Sequence, residues 1–368
     1  MAEVEIGRGK AGRCAYGFED VAIVPSRRTR DPEEVSTAWQ LDAYRFDLPL
    51  LVPPMDSVVS PRTAIEIGGL GGLAVLDLEG LWTRYEDPEP LLEEVVALDE
   101  KGATTRLQQI YAEPVKEDLI GRRIEEVREA GMTTAGALSP QRTVAYYKAV
   151  LDAGVDLFVI RGTTVSAEHV ATRREPLNLK QFIYDLDVPV VVGGCATYQG
   201  ALHLMRTGAA GVLVGFGGGS SQTSRDVLGV AVPMATAVAD VAAARRDYLD
   251  ESGGRYVHVI ADGGMSGSGD VAKALACGAD AVMVGSPLAR ATEAPGRGCH
   301  WGREAHHPYL PRGVRVHVGT TGSLREILLG PSTSPDGSMN LMGALRRAIA
   351  TAGYSNLKEF QRVEVVVS

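Results

Sequence analysis

Two stretches of the chain decide the fold: VPVVVGGCATYQGALHLMRTGAAGVLVG at 188–215 and HVIADGGMSGSGDVAKALACGADAVMVG at 258–285. They align without gaps at a shift of 70 residues, which superposes Gly193-Gly194 on Gly263-Gly264. Each copy has the pattern of an apolar strand, a Gly-Gly turn, a helix, a Gly-Ala pair and a second strand. A repeated strand–helix unit of this kind is typical of α/β folds with a parallel sheet.

The same rhythm extends over most of the chain. Continuously apolar runs, which are typical of parallel strands covered by helices, lie at 49–52, 72–76, 133–138, 156–160, 188–192, 211–215, 256–261 and 280–285. Amphipathic stretches that predict helices lie between them, at 90–100, 117–130, 141–153, 199–207, 232–249 and 269–277. Eight strands in this order predict an α/β fold, a (β/α)₈ TIM barrel, with residues 1–368 forming a single domain.

The chain after the eighth strand breaks the pattern. Residues 295–330 are rich in Gly, Pro, His and Arg and contain no clear long helix, so we predict a long, mobile flap there. Residues 339–368 predict a C-terminal helix and a strand-like tail.

Composition narrows the class of protein. The 368 residues include 37 basic and 46 acidic side chains, giving a formal net charge of −9, which argues against nucleic-acid binding. No apolar run reaches the roughly 18 residues of a membrane span, so we expect no membrane association. The four cysteines have no CxxC spacing, which suits reduced thiols and a cytoplasmic protein.

The segment 214–225, VGFGGGSSQTSR, is a candidate ligand loop because it joins a predicted strand to a predicted helix. Four glycines within six residues, followed by Ser220 and Ser221, form a flexible stretch whose backbone amides can bind phosphate. It is not a P-loop, since no Gly-Lys-Ser/Thr follows, and it is not a dinucleotide fingerprint, since no helix begins at once.

At this point the chain resembles the IMP dehydrogenase and GMP reductase family. The motifs that carry the resemblance are FEDVAIVP at 18–25, PPMDSV at 53–58, IADGG at 260–264, SGDVAKAL at 268–275, AVMVGS at 281–286 and TEAPG at 292–296. They follow the family's order over almost the whole chain. Only about 55 residues separate the second and third predicted strands, too few for the tandem CBS module. The chain therefore looks most like a short bacterial paralogue of IMP dehydrogenase without CBS domains.

The resemblance implies a purine ribonucleotide, IMP or a relative, as ligand and NAD as cofactor. It implies nucleotide-binding residues at Asp56, Ser57, Gly219, Ser220, Asp262, Gly263, Gly264, Gly285 and Ser286. Among these, Ser220, Gly264, Gly285 and Ser286 would hold the 5′-phosphate and Asp262 the ribose hydroxyls. It also implies cofactor contacts at Arg161, Gly162 and Gly194, a monovalent cation such as potassium at Gly217, Gly219 and Gln222, and a homotetramer.

The catalytic positions depart from the family pattern. Family members carry a nucleophilic cysteine where this chain has Gln222, followed here by Thr223 and Ser224. An amide cannot form the covalent adduct that a thiolate forms. Cys195 is a substitute nucleophile or, more simply, a small core thiol. The family's cofactor-binding Asp after the fourth strand is replaced by Arg161, and its flap Arg-Tyr pair has no clear counterpart.

Three functions remain open from the sequence. The first is NAD-dependent oxidation at purine C2, of the IMP-to-XMP type in GMP biosynthesis, with water adding directly to C2. The second is a purine-nucleotide-binding pseudoenzyme with a regulatory or assembly role. The third is GMP reductase-like chemistry, which lacks the same thiol.

Overall fold

A closed barrel of eight parallel strands forms the centre of the molecule, as seen in a computed structural model that describes residues 3–172, 175–216 and 218–367. The strands are Leu50–Val52, Leu73–Asp77, Ala135–Leu138, Leu157–Arg161, Val190–Cys195, Gly211–Val214, His258–Asp262 and Ala281–Met283. Each pairs in parallel with the next, and Val282 opposite Leu50 closes the ring. The predicted (β/α)₈ barrel is confirmed.

The strands are apolar along their length because helices cover the outside of the barrel and side chains fill its interior. Every residue of Leu73–Asp77 and Val190–Cys195 is buried. The covering helices are Pro61–Gly69, Glu117–Glu129, Pro140–Asp152, Leu179–Tyr184, Tyr198–Arg206, Met234–Glu251 and Ser268–Ala276. The repeated unit is two consecutive strand–helix–strand segments of this barrel.

The connection between the second and third strands contains an additional pair of helices. The sequence pattern predicts one helix over 90–100, but the structure has two, Glu89–Ala97 and Glu100–Ile110. The break follows from Asp99, whose side chain accepts a hydrogen bond from the Gly102 amide and so caps a new helix.

The flap is more structured than its composition indicates. It contains a short hairpin of Cys299–His300 and Val316–His317, the 3₁₀ turn Arg303–His306 and the helix Leu324–Leu329. The C-terminal part forms helices Leu341–Thr351 and Leu357–Phe360, and the predicted tail strand is Val365–Val367, paired with Val21–Ile23.

A second, smaller core joins the additional helices to the flap. The helices and the turn before them contribute buried apolar groups, including Leu92 and Leu107, and the flap contributes Cys299, Trp301 and Ala305. Trp301 is among the largest fully buried side chains. The additional helices therefore position the flap over the barrel.

Two antiparallel hairpins precede the barrel, Glu3–Gly7 with Lys10–Arg13 and Trp39–Leu41 with Tyr44–Phe46. The second buries Trp39, Leu41 and Phe46 beside the first strand. Across the described ranges of the chain, no helix combines the length and apolar character needed to cross a membrane.

Candidate functional site

A cavity lies at the carboxyl ends of the barrel strands, where TIM-barrel active sites are found. The first strand and its turn contribute Pro53 and Met55, the fourth Arg161, and the seventh and eighth Asp262–Met265 and Met283–Ser286. The loop after the sixth strand contributes Gly219, Ser221 and Gln222, and the flap contributes His300. The second copy of the Gly-Gly turn, Gly263-Gly264, and the glycine-rich loop thus meet at one site.

The cavity has an amide-lined end, which we call the anion cup: Ser220, Gly264, Gly285 and Ser286. The backbone N–H groups of Gly264, Gly285 and Ser286 have no acceptor among the described residues. The hydroxyl groups of Ser220 and Ser286 lie 3.2 Å apart. Donors without an internal acceptor, gathered at one place, suit a phosphate group.

Glycine is required in the cup by backbone geometry. Gly264 has a φ of +73°, and a Cβ there would lie 2.8 Å from Cγ of Met234. A Cβ added at Gly285 would lie 3.0 Å from Cγ of Pro53. A side chain at Gly264 would therefore be strained and clash with Met234, and one at Gly285 would crowd Pro53 in the cavity wall.

Asp262, the predicted ribose-binding residue, is buried next to the cup and carries an ion pair. Its Oδ2 accepts a hydrogen bond from Nε of Arg161 at 3.1 Å, and Nη2 of Arg161 lies 3.1 Å from the same oxygen as an ion pair. Burial alone would lower the pKa of Arg161, but the charge of Asp262 raises it, so Arg161 stays charged.

Gln222, which the family resemblance places at the catalytic position, is held by the flap. Its Nε2 donates to Oε2 of Glu304 at 2.7 Å. Burial would raise the pKa of Glu304, but the charge of Arg161 and the Gln222 hydrogen bond lower it. Glu304 is therefore an ionised carboxylate beside the position where the family has its thiol.

The flap backbone also pairs with the catalytic loop. The Thr223 amide donates to the Arg312 carbonyl at 3.0 Å, and the Val314 amide donates to the Ser221 carbonyl at 2.9 Å. Gln222 and Gly313 form an antiparallel bridge. Ser224 begins the helix Ser224–Leu228 and is buried, with its hydroxyl 3.4 Å from the Arg312 carbonyl.

Asp56 and Ser57 do not line the cavity with the other predicted nucleotide-binding residues. The Asp56 carboxylate points to the additional helices, where it accepts hydrogen bonds from the Tyr111 hydroxyl at 2.6 Å and the Leu81 amide at 2.9 Å. Ser57 lies 3.1 Å from Nδ1 of His300 and donates to the Trp301 carbonyl. Both residues thus support the flap.

The predicted cofactor positions are occupied by internal contacts. The Gly162 amide donates to the Gly193 carbonyl, and the Gly194 amide donates to the Gly162 carbonyl. Arg161 is engaged with Asp262. The backbone N–H groups of the two glycines and the guanidinium of Arg161 are therefore already engaged, so these residues do not fit the cofactor as placed.

The predicted cation site is only partly described. Gly217 lies outside the described residues, and the Gly219 carbonyl accepts the Gln222 amide at 3.0 Å. Within 3–172, 175–216 and 218–367, no three His, Cys, Asp or Glu side chains are grouped to hold a metal ion.

Cys195 is a core thiol rather than a substitute nucleophile. It is buried, its Sγ lies 3.5 Å from the Leu213 carbonyl, and burial raises its pKa to about 12. A thiol with this pKa is protonated at neutral pH and therefore a poor nucleophile.

Several site residues could not be found from the sequence. Glu304 lies 82 positions after its partner Gln222, and the flap carries no family-like pattern that would single it out. Arg303 donates to both Asp77 and Glu79 at the end of the second strand. The sequence signal that could have indicated this contact was the acidic pair Asp77 and Glu79 at the end of the strand, together with the arginines of the flap.

The fold and the site define a TIM barrel with a cup of backbone N–H groups beside a buried carboxylate at its mouth. Comparisons with known proteins identify the family. The model of the IMP dehydrogenase / GMP reductase domain matches residues 15–313, and the chain belongs to this family.

The relatives agree with this assignment. An uncharacterized oxidoreductase of Mycolicibacterium smegmatis is 56% identical, with 99% of each chain covered. Inosine-5′-monophosphate dehydrogenase of Methanocaldococcus jannaschii is 25% identical, covering 94% of this chain and 91% of that one. The crystal structure of an IMP dehydrogenase/GMP reductase-like protein from Corynebacterium glutamicum superposes with a TM-score of 0.95 at 50% identity, covering 100% of this chain and 98% of the other.

Proposed function

We propose that this protein binds a purine ribonucleoside 5′-monophosphate without performing the covalent chemistry of the family, and acts as a nucleotide-binding member with a regulatory or assembly role. The observation that carries the proposal is the anion cup, in which three backbone N–H groups that have no acceptor among the described residues lie beside two hydroxyl groups. Asp262 adjoins the cup and would accept the ribose hydroxyls.

The loss of covalent chemistry follows from the residue at the nucleophile position. Gln222 carries an amide, which is held by Glu304, and Cys195 is buried and protonated. Losing a nucleophile commonly costs several powers of ten in rate. Nucleotide binding does not require the thiol, so this chain can bind the nucleotide without turning it over.

The test measures binding and turnover on the same protein. Purified protein is titrated with IMP, GMP, XMP and AMP by calorimetry and by thermal unfolding, and NADH formation is followed at saturating IMP with NAD. We expect at least one purine nucleotide to raise the melting temperature, since a ligand that binds only the folded state stabilises it. We expect no NADH. Failure of all four nucleotides to bind would refute the proposal.

Glu304 favours a second candidate, NAD-linked oxidation of the purine at C2. Its ionised carboxylate lies next to Gln222 and could accept the proton of a water molecule that adds to C2. NAD would be the hydride acceptor, and because Gly162, Gly194 and Arg161 do not fit it, we assign no step to it. Steady NADH formation that is lost in E304Q would favour this candidate. Nothing in the site favours GMP reductase-like chemistry.

The remaining expectations have other grounds. A homotetramer and a potassium ion in the glycine-rich loop rest on the family resemblance, and a cytoplasmic location rests on the spacing of the cysteines.

A further inference from the structure

We propose that Arg161 competes with the ribose hydroxyls for Asp262 and thereby sets both the affinity and the sugar selectivity of the nucleotide site. This inference rests on the proposed function, since it concerns the same site. It assigns a role to a residue at which the chain departs from its family.

The geometry of Asp262 is the first step. Nε of Arg161 donates to Oδ2 at 3.1 Å and Nη2 lies 3.1 Å from the same oxygen, while Oδ1 accepts no hydrogen bond from the described residues. Two neighbouring ribose hydroxyls are bound best when each donates to its own carboxylate oxygen. A hydroxyl at Oδ2 would therefore compete with the guanidinium for that oxygen unless the guanidinium moves.

The second step is where the guanidinium can go. Glu304 is buried and ionised, and the charge of Arg161 lowers its pKa. Within 4.0 Å, Arg161 is ion-paired with Asp262 and not with Glu304. A displaced Arg161 would therefore move toward a second carboxylate, which limits the cost of breaking the first pair.

Competition predicts opposite effects for the two partners. Removing the guanidinium frees Asp262, so the nucleotide should bind more tightly. Neutralising Glu304 leaves displaced Arg161 without a partner, so the nucleotide should bind more weakly. A purely structural ion pair predicts weaker binding for both changes, because each would disturb the site.

The experiment measures the dissociation constants of IMP and 2′-deoxy-IMP by calorimetry for wild type, R161M, R161Q and E304Q. For R161M we expect IMP to bind about tenfold more tightly, the scale of one charged hydrogen bond. We also expect the preference for IMP over 2′-deoxy-IMP to increase in R161M. For E304Q we expect weaker binding of IMP.

R303M is the matched control, because Arg303 is another arginine at the barrel mouth but pairs with Asp77 and Glu79 instead of Asp262. It should not tighten binding. R161Q keeps a polar group beside Asp262 and decides the question if R161M does not fold. Unchanged or weaker IMP binding in the folded Arg161 variants would overturn the inference.

Tighter binding in E304Q would also overturn it. Binding of IMP by wild type, with no change in the variants, would refute the role of Arg161 and leave the proposed function intact. If no nucleotide binds to any of the proteins, the proposed function fails, and the inference fails with it.

Discussion

Residue 222 carries an amide where the family carries a reactive thiol, and its surroundings are adapted to the amide. Gln222 donates to Glu304, and its backbone pairs with Gly313 of the flap. The cup beside it remains lined with amides. The proposed separation of nucleotide binding from covalent chemistry therefore rests on a single residue.

Restoring the thiol should restore covalent reactivity. We predict that Q222C forms an adduct with a 2- or 6-substituted inosine nucleotide analogue, because the loop from Gly218 to Arg225 is otherwise family-like. Intact-protein mass spectrometry should show one added nucleotide mass, absent from wild type and from Q222S. If Q222C binds the analogue without gaining mass, more than this residue has been changed.

Asp56 gives a pH-dependent prediction. Burial, and then the charge of Asp77, raise the pKa of Asp56 to about 7 in the folded protein. Its unfolded value is about 3.9, so the folded state holds the proton more tightly. The stability that this contributes is complete below about pH 4 and decreases as the pH rises to 7, by about 1.4 kcal/mol per unit.

D56N should remove that dependence while keeping an acceptor for Tyr111. We expect the melting temperature of D56N, relative to that of wild type at the same pH, to increase from pH 5 to pH 8. Thermal unfolding across this range measures the difference. A constant difference between the two proteins would mean that Asp56 stays ionised in the fold.

At the scale of elements, the flap and the additional helices pack together as one unit. Trp301 donates its indole N–H to the Tyr111 hydroxyl at 3.1 Å, and the Tyr111 ring stacks on His306 with centroids 3.6 Å apart. Arg303 adds the ion pairs to Asp77 and Glu79, which tie the flap to the second barrel strand.

Removing the ion pairs of Arg303 should increase the mobility of the flap. In R303M the buried Asp77 and Glu79 lose their cation, so we expect a local stability loss of about 1–3 kcal/mol and faster amide exchange over 299–317. Hydrogen exchange with mass spectrometry measures it.

R297M is the control, since Arg297 makes exposed pairs with Glu89 and Glu93. Such pairs contribute little, so its effect should stay within about 0.5 kcal/mol. Equal exchange rates in R303M and R297M would contradict the assignment of Arg303 as a flap anchor.

At the scale of the whole molecule, the barrel is also held together below the site. The buried Asp280 accepts hydrogen bonds from Arg245 at 2.6 Å, the Tyr256 hydroxyl at 2.6 Å and Lys358 at 2.6 Å. Burial opposes its ionisation, but Arg245 and Lys358 lower the pKa of Asp280 to about 2. The cluster joins the eighth strand to the helix Met234–Glu251 and to the C-terminal helix Leu357–Phe360.

D280N should destabilise the whole barrel, by about 3–5 kcal/mol, because it leaves the buried Arg245 without its counter-charge. Urea unfolding at pH 7 measures the change in free energy. E251Q, which removes an exposed pair with Arg206, is the control and should have little effect. A loss in D280N no larger than in E251Q would refute the role of the cluster.

The sequence was sufficient for the barrel because the barrel depends on local patterns, whereas the residues of the cup came from the family resemblance and stay a prediction. Apolar runs and Gly-Gly turns recur at fixed spacing, and the parallel fold brings every strand end to one rim. The flap contacts could not be predicted, since Glu304 meets Gln222 and Arg303 meets Asp77 through tertiary packing alone. The orientation of Asp56 depended likewise on Tyr111, from a helix that the pattern did not show.

The short hairpin that pairs Cys299 with His317 has a consequence for how this lineage can diversify. Between its two strands, Trp301, Arg303 and Glu304 are fixed on Tyr111, the second barrel strand and Gln222. The side chains of Tyr309 and Leu310, in the middle of the segment, are exposed. Their identity can therefore change without rebuilding the barrel beneath, whereas the fixed positions can change only together with their partners.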